Sequence, residues 1–409
     1  MTPIAARLAD LIAAHLDGPL PIRIRAWDGS QAGAPDAPTV TINSRRALRR
    51  LLWHPGELGL AQAYVTGEID VSGSAEALPD GLSRMWQAST AAHARRRHQR
   101  RLPPWTAAVW LARLGALGPR PAPPAVQARQ RGRAHSLTRD RAVIAHHYDL
   151  SNEFYALILD ESMAYSCGYY PREGMSLAQA QRAKLDLICT KLELRPGQRL
   201  LDVGCGWGSL ILHAAEHYGT TALGVTLSKR QHQFVTTRIA QRGLADRVQV
   251  RVQDYRSLHE PPFDAAASIE MGEHVGQANY PRYAATLHAH LRPGGRLLLQ
   301  QMSRHVDAAP GGGAFIEAFI AADMHMRPLP DTVALLQDAG LEIRGDQALR
   351  EHYAHTIADW RRALHTHHEQ AVDLVGDQTV RVWQLYLAGG ELAFEHGRMG
   401  VDQILATRR

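Results

Sequence analysis

In the second half of the chain, the spacing of the apolar residues changes several times along the sequence. Short apolar runs alternate with segments in which apolar residues recur every three or four positions, which is typical of helices that pack on a sheet. The clearest helical segments are 177–192 and 280–291. Strands are predicted at residues 200–203, 222–225, 248–252, 263–269 and 296–300. This alternation predicts a doubly wound α/β domain with a largely parallel sheet.

The two ends of the chain depart from this pattern. Towards the C-terminus we predict a tight turn at 292–295, a helix at 333–339, a strand at 341–344 and mostly helical structure over 356–389. The first part combines an amphipathic helix near residues 4–16 with two strand-like segments, and it offers no catalytic constellation before residue 135. We therefore predict a small mixed α/β N-terminal domain, a basic, proline-rich linker and a larger domain at residues 1–117, 118–135 and 136–409.

A glycine-rich turn follows the first strand of the larger domain. The stretch R-L-L-D-V-G-C-G-W-G-S (199–209) places Asp202 ahead of Gly204, Gly206 and Gly208. Glycine at a strand-to-helix turn accepts a positive φ and lets the backbone approach a ligand. Nucleotide-like cofactors bind at this place in doubly wound sheets. A tight turn with no ligand has the same composition. The spacing of the glycines and of the neighbouring acidic residue therefore has to distinguish the two.

The spacing favours S-adenosylmethionine over a dinucleotide. A dinucleotide site is expected to have G-x-G-x-x-G and an acidic residue at the end of the second strand. This chain has D-x-G-x-G-x-G, and its second strand ends in Thr226-Leu227-Ser228. The pattern resembles the S-adenosylmethionine site of Rossmann-like, class I methyltransferases. Downstream, Gln231 is either a capping-box residue or a cofactor ligand.

Polar residues also follow the other strands of the predicted sheet. Asp254 comes after the third strand, where a carboxylate can accept a hydrogen bond from an adenine amino group. Glu270 and Glu273 come after the fourth strand, and Gln300 ends the fifth. A solvated loop would explain two glutamates, but burying a carboxylate without a purpose is costly, which favours a functional role for Glu273.

Composition narrows the cellular setting of the protein. No run of about 18 apolar residues is present, so no transmembrane helix is predicted. The N-terminus lacks the basic-then-apolar pattern of a signal peptide. The three cysteines form no disulfide framework, which favours a reducing cytosol. The adjacent His146 and His147 have no partners at zinc spacing, so no metal site is predicted.

Charge is concentrated in one block of the sequence. Residues 91–141 hold twelve arginines and one acidic residue, whereas the whole chain has a net charge of +6. The block includes the apolar run 105–111 with two tryptophans, a combination that suits the headgroup region of an anionic phospholipid membrane. Nucleic acid is disfavoured because the aromatic residues are not interleaved with the arginines. A solvated flexible linker is the alternative for the proline-rich part.

Longer motifs carry a more specific signal. They are H-Y-D-L-S-N-E-F-Y (147–155), Y-S-C (165–167), L-D-V-G-C-G-W-G (201–208), G-V-T-L-S-x-x-Q (224–231), Q-D-Y-R (253–256), E-H-V-G (273–276) and H-Y-x-x-T-I-x-x-W (352–360). In this order they resemble the cyclopropane-fatty-acyl-phospholipid synthases over nearly all of 136–409. The N-terminal stretches P-G-E-L-G-L-A-Q-A-Y (55–64) and G-E-I-D-V (67–71) resemble the first domain of the bacterial two-domain enzymes.

The resemblance implies an enzyme that moves a methyl group from S-adenosylmethionine to the cis double bond of an unsaturated phospholipid acyl chain. A cyclopropane fatty acid would form through a carbocation that a bound bicarbonate ion deprotonates. The catalytic groups implied around that ion are Cys167 (main chain), Glu273, Gln300, Met302 (main chain) and Tyr353. The implied cofactor shell is Tyr165, Ser166, Asp202, Gly204, Gly206, Thr226, Leu227, Gln231, Asp254 and Tyr255.

Two further properties follow from the same resemblance. The N-terminal domain would serve lipid binding or dimerisation, so a homodimer is implied. The enzyme would be cytoplasmic and peripherally associated with the inner face of the membrane, where it meets unsaturated acyl chains and not nucleic acid.

The chain departs from the family pattern at Gln300, where these synthases carry a histidine. A neutral amide can donate a hydrogen bond to an anion but cannot carry a proton. A longer-lived carbocation could then undergo a hydride shift and lose a different proton, which would give a 10-methylene fatty acid, as some relatives do. Glu270, where the bacterial synthases often have a small residue, favours the same alternative. A small-molecule methyltransferase and a non-catalytic lipid-binding protein are the other classes considered.

Overall fold

The computed structural model describes residues 2–95, 109, 112, 114–128, 135–136, 139 and 151–409. Most of the arginine-rich block, most of the apolar run 105–111, and His146 and His147 lie outside the described residues. The chain divides into two compact units. Unit 1 comprises residues 1–127, 313–319 and 368–392, and unit 2 comprises residues 128–312, 320–367 and 393–409. Two segments that the sequence analysis placed in the larger domain therefore cluster with the N-terminal residues.

Unit 1 is a small mixed α/β structure. Its sheet has the order β2-β1-β3-β4, with β1 parallel to β3. The strands are β1 Arg23–Ala26, β2 Gln31–Ala32, β3 Thr39–Ile42 and β4 Ile69–Ser72. The helices that lie wholly or mostly in this unit are Ile4–Leu16, Arg45–Trp53, Glu57–Val65, Ala77–Arg95, Gly313–Phe319, His368–Val375 and Asp377–Glu395. Its apolar core includes Leu8, Ile24 and Leu48.

Unit 2 contains a seven-stranded sheet of order β10-β11-β9-β8-β5-β6-β7. Neighbouring strands from β9 to β7 in this order are parallel. The strands are β5 Arg199–Val203, β6 Thr221–Thr226, β7 Val248–Val252, β8 Phe263–Ile269, β9 Leu291–Arg304, β10 Leu341–Ala348 and β11 Met399–Arg408. The doubly wound α/β fold predicted from the sequence is confirmed.

Helices cover both faces of this sheet. They are Asn152–Ile158, Leu177–Lys191, Ser209–His217, Lys229–Gln241, Tyr280–Ala289, Leu329–Asp338 and Arg350–Thr366. Two apolar clusters form the core, one containing Ile188, Leu200 and Ile211 and the other containing Leu201, Tyr283 and Leu297. Within the described part of the chain, no helix has the length and apolar character needed to cross a membrane.

The structure differs from the sequence-based prediction at two places. The tight turn predicted at 292–295 is present, but as a bulge inside β9 and not ahead of it: Leu291 pairs with Phe263 and Arg296 pairs with Ala265, so the extra residues bulge out of the ladder. The bulge is tight, since Gly294 has φ 76°. The sequence analysis also assigned no structure after residue 389, whereas β11 occupies 399–408 and lies antiparallel between β9 and β10. It carries four consecutive buried residues from Val401, so it lacks the alternation that marks a half-buried strand.

Candidate active site

A cleft of about 1190 Å³, counted out to its open mouth, lies at the carboxyl ends of β5, β6, β7 and β8. Open α/β sheets bind their ligands at this edge. All ten residues predicted to bind the cofactor line the cleft. They are Tyr165, Ser166, Asp202, Gly204, Gly206, Thr226, Leu227, Gln231, Asp254 and Tyr255. The structure therefore brings together residues that are spread over some 90 positions of the sequence.

The glycine-rich turn owes its shape to three positive φ angles, 86° at Gly204, 53° at Gly206 and 80° at Gly208. A Cβ atom on Gly204 would lie 2.8 Å from Met271 Cγ, and one on Gly208 would lie 2.9 Å from Val235 Cγ1. At Gly206 no described atom lies within 4 Å of that position. The outer two glycines thus permit close packing, whereas Gly206 leaves open space beside the cleft.

Asp202 is the penultimate residue of β5 and lines the cleft. Only 2% of the residue is exposed, and its buried Oδ1 atom has no hydrogen-bond partner among the described residues. Burial raises the pKa of Asp202 to about 7, and the nearby Lys184 ammonium opposes this rise. An unpaired buried acceptor needs a donor. The amino group of S-adenosylmethionine is a donor of the right charge, so this residue fits the predicted cofactor.

The Tyr165-Ser166-Cys167 loop is fixed by the helix Leu177–Lys191. Gln181 Nε2 donates to the Ser166 carbonyl oxygen at 2.8 Å, and Lys184 Nζ donates to Ser166 Oγ at 2.9 Å. Both side chains are buried, and Lys184 also lines the cleft. Burial lowers the pKa of Lys184, while Glu270 and Asp160 raise it. A buried basic side chain therefore lies in the cleft wall together with the carboxyl groups of Asp202 and Glu270.

The ends of β6 and β7 position the remaining cofactor residues. Thr226 Oγ1 donates to Gln231 Oε1 at 2.7 Å, so the Gln231 side chain points to the strand and does not complete a capping box. Ser228 caps the helix by accepting from the Gln231 backbone N–H. The Asp254 carboxylate accepts from the Arg256 guanidinium through both oxygens, at 2.8 and 2.7 Å. An adenine amino group would be a further donor to this carboxylate.

The five predicted catalytic residues do not line the described cleft wall. Glu270 does, and its carboxylate accepts hydrogen bonds from three of them. The Cys167 backbone N–H donates to Oε1 at 2.9 Å, Gln300 Nε2 donates to Oε1 at 2.7 Å, and the Tyr353 hydroxyl donates to Oε2 at 2.6 Å. Burial raises the pKa of Glu270, and these donors oppose the rise. The groups expected to hold a bicarbonate ion thus hold a side chain of the protein.

The other two predicted catalytic groups contact each other. The Met302 backbone N–H donates to Glu273 Oε1, and Glu273 Oε2 is buried with no partner among the described residues. Burial, followed by the negative charge of Glu270, raises the pKa of Glu273 to about 8. This shift favours the protonated form of Glu273. Glu270, with three donors, is the carboxyl group of the two that is built to be ionised.

A chain of amide contacts fixes the orientation of Gln300. Gln403 Nε2 on β11 donates to Gln300 Oε1 at 2.9 Å, so the Gln300 amino group is left to face Glu270. Lys191 Nζ in turn donates to Gln403 Oε1 at 2.7 Å. Gln300 and Gln403 are both almost fully buried. The chain therefore supplies Glu270 with a donor whose direction is set by a second strand and a helix.

Sequence reasoning gave Glu270 only a minor part and missed Lys184 and Gln403. A signal existed for Lys184, because Ala180, Lys184 and Ile188 are spaced four residues apart on the buried face of one helix. A lysine in such an apolar stripe is unusual and points to a buried partner. No comparable signal marks Gln403, since its role depends on a strand pairing that the sequence analysis did not predict.

Metal-binding residues are not gathered in the described part of the chain, where no group of three His, Cys, Asp or Glu side chains could hold an ion. The cleft instead offers an unpaired carboxyl oxygen, a glycine turn with open space and apolar side chains such as Met163 and Ile188. These features, on a seven-stranded doubly wound sheet, define a class I S-adenosylmethionine-dependent methyltransferase.

Comparison with known proteins identifies the family. The family model described as mycolic acid cyclopropane synthetase matches residues 135–404. A probable fatty acid methyltransferase of Mycobacterium tuberculosis is 38% identical over 395 residues, covering 96% of this chain and 92% of that protein. The tuberculostearic acid methyltransferase of the same organism is 32% identical over 417 residues, covering 98% and 90%.

A solved structure of a relative matches about two thirds of this chain in fold as well as in sequence. The crystal structure of a mycolic acid cyclopropane synthase complexed with SAH and CTAB has 31% sequence identity and a TM-score of 0.62, covering 66% of this chain and 98% of that one. The chain belongs to the mycolic acid cyclopropane synthetase family and is an S-adenosylmethionine-dependent methyltransferase.

Proposed function

We propose that the enzyme transfers a methyl group from S-adenosylmethionine to the cis double bond of an unsaturated phospholipid acyl chain and closes it to a cyclopropane. The observation that carries the proposal is the cleft itself. Its wall combines the ten cofactor residues with a partly buried carboxylate, Glu270, held by Cys167, Gln300 and Tyr353. Methyl transfer to an unactivated alkene needs both a sulfonium donor and a base.

The residues of the cleft suit a poor nucleophile. An alkene attacks only when its π face is aligned with the methyl group and water is kept away from the cation that forms. Met163, Leu185, Ile188 and Ile269 give the described wall an apolar portion beside the polar cofactor residues. Glu270, which accepts a hydrogen bond from Tyr353, then places negative charge at the cleft wall, where a carbocation can be stabilised.

The names of the relatives and the charge of the chain support the proposal that the substrate is a phospholipid. The relatives that cover almost the whole chain are named for fatty acids, and one solved relative is complexed with CTAB. The twelve arginines of residues 91–141 favour a phospholipid surface with anionic headgroups. We further propose that the enzyme is a homodimer in the cytoplasm and binds the inner face of the membrane peripherally.

A second product remains a candidate. The two relatives that cover 96% and 98% of this chain are named methyltransferases of fatty acids and not cyclopropane synthases. After the same first step, a hydride shift from the methylated carbon to the neighbouring cationic carbon would move the positive charge to the methylated carbon. Loss of a proton from the methyl group would then give a 10-methylene fatty acid. The two products differ in whether the hydride shifts before the base takes the proton.

The test uses purified protein, methyl-labelled S-adenosylmethionine and vesicles of a cis-monounsaturated phospholipid. Released acyl chains are examined by NMR, because ring and methylene products have the same mass. Upfield ring protons would support the cyclopropane, and vinylidene protons without ring signals would support the methylene product. If no label reached the lipid while soluble acceptors were methylated, both lipid proposals would be wrong.

A further inference from the structure

We infer that Glu270 is the general base of the reaction, so that a carboxylate of the protein takes the place of a bound bicarbonate ion. This inference rests on the proposed methylation of an alkene. Glu270 follows β8 at the edge of the cleft and is the one residue that lines the described cleft wall and also contacts three predicted catalytic groups.

The contacts of Glu270 are those of a preorganised anion. Its donors come from three separate segments: the Cys167 loop, β9 through Gln300 and the helix Arg350–Thr366 through Tyr353. Hydrogen bonds to an ionised acceptor are the strongest that proteins make, and together they favour the charged form. Three hydrogen bonds from different directions fix the orientation of the carboxylate. Its remaining lone pairs therefore point in fixed directions.

A bicarbonate ion would need the same donors. The family resemblance assigns Cys167, Gln300 and Tyr353 to that ion, and in this structure each of them donates to Glu270. A second anion in this place would compete for these hydrogen bonds and would meet the negative charge of Glu270.

The backbone at Glu270 supports a functional reason for this side chain. Its φ is 52°, in the left-handed region that favours glycine. The backbone is held there, since Glu270 N–H donates to the Gln300 carbonyl oxygen at 2.7 Å. Non-glycine residues in this region are strained and are frequent at active sites. Glycine would fit without that strain but would supply no carboxylate.

The glutamine at position 300 now has an explanation. A histidine there could take or give a proton, whereas the Gln300 amide only donates to Glu270 and accepts from Gln403. Glutamine therefore leaves the proton with the carboxylate. Glu270 and Gln300 are one hydrogen-bonded unit and not two separate departures from the family pattern.

The reaction balances with Glu270 as the base. The alkene π pair forms a bond to the methyl carbon, the carbon–sulfur bond breaks, and S-adenosylhomocysteine leaves as a neutral thioether. The acyl chain then carries the positive charge. Glu270 takes a proton from the new methyl group, the electron pair of that C–H bond closes the ring, and the neutral carboxyl group returns its proton to solvent after product release.

The deciding experiment measures lipid methylation in buffer freed of carbon dioxide, with and without added bicarbonate. The wild-type enzyme is expected to have the same rate in both. Glu270→Gly should lose at least about 100-fold in rate without bicarbonate, in keeping with removal of a general base. Glycine suits φ 52°, and it opens the space in which added bicarbonate can reach the same donors and restore part of the rate. Glu270→Gln fills that space without a base and should not be restored.

Glu193→Gly is the matched control. Glu193 also has φ 52°, but it pairs with Arg296 at 2.6 Å and lies outside the described cleft wall. Its replacement should leave the rate unchanged. A wild-type rate that falls when bicarbonate is removed, or full activity of Glu270→Gly without bicarbonate, would overturn the inference alone. If wild-type enzyme labelled no lipid in either buffer, the proposed function would fail and the inference with it.

Discussion

At the scale of single residues, Asp202 is the clearest example of a buried polar group that lacks a hydrogen-bond partner among the described residues. Its carboxyl group is buried, its Oδ1 atom has no partner among the described residues, and its pKa is raised to about 7 by burial. The described residues of the folded protein do not offset the cost of burying this carboxyl group in its ionised form. A ligand that brings a positive donor would favour the ionised form, so cofactor binding and ionisation of Asp202 should be coupled.

We expect this coupling to make S-adenosylmethionine binding pH-dependent. A group with a pKa of about 7 is about one-tenth ionised at pH 6 and about nine-tenths at pH 8, so affinity should fall as the pH is lowered through 7. Asp202→Asn should bind at least about tenfold more weakly at pH 8 and lose most of this pH dependence. Isothermal titration calorimetry at pH 6, 7 and 8 measures both effects. Asp246→Asn, at an exposed position, is the control, and a wild-type affinity that is constant over this range would contradict the coupling.

At the scale of elements, β11 connects a distant part of the chain to the site. The strand inserts between β9 and β10, and Gln403 on it contacts Gln300 directly. Gln403 lies outside the described cleft wall, so it acts as a positioning residue through Gln300. Without it, nothing in the described amide chain would fix which end of the Gln300 amide faces Glu270.

Replacement of Gln403 by Leu should therefore lower kcat and leave the KM for S-adenosylmethionine unchanged. We expect a loss of about tenfold, since one charge-assisted hydrogen bond contributes about 1.5–3 kcal/mol and part of it would be kept. Gln403→Glu should be no better, because a carboxylate would attract the Gln300 amino group away from Glu270. Gln249→Ala on β7 is the control. A change in KM with an unchanged kcat would show that Gln403 acts on the cofactor site instead.

The sequence was sufficient for elements that depend on local pattern. The strands β5 to β8 follow from apolar runs, whereas the family resemblance implied the full set of ten cofactor residues. The site of Glu270 depends on contacts between residues 167, 270, 300 and 353, which local pattern does not reveal. The resemblance assigned Cys167, Gln300 and Tyr353 to a bound bicarbonate ion. Only the structure shows that all three donate hydrogen bonds to Glu270.

At the scale of the whole molecule, the arginine-rich block differs from the rest of the chain in its net charge. The block contributes twelve arginines against one acid, while the complete chain has a net charge of only +6. The proposed phospholipid substrate lies in a lipid surface, and each basic residue near an anionic surface contributes about 1 kcal/mol. The block is the part of the sequence that can supply this attraction.

We therefore expect the protein to bind vesicles that contain anionic phospholipid and to bind purely zwitterionic vesicles much more weakly. Replacing Arg97, Arg100 and Arg101 by glutamine should reduce the partition coefficient by about 100-fold at low salt, and raising the salt to 0.5 M should weaken binding of the wild type as well. Cosedimentation with vesicles of both compositions measures these effects. The charge-matched control replaces the exposed arginines Arg172, Arg195 and Arg230, which lie outside the block. If both triple variants lost affinity equally, net charge alone would attract the protein to the membrane, and the arginine-rich block would have no special part in binding.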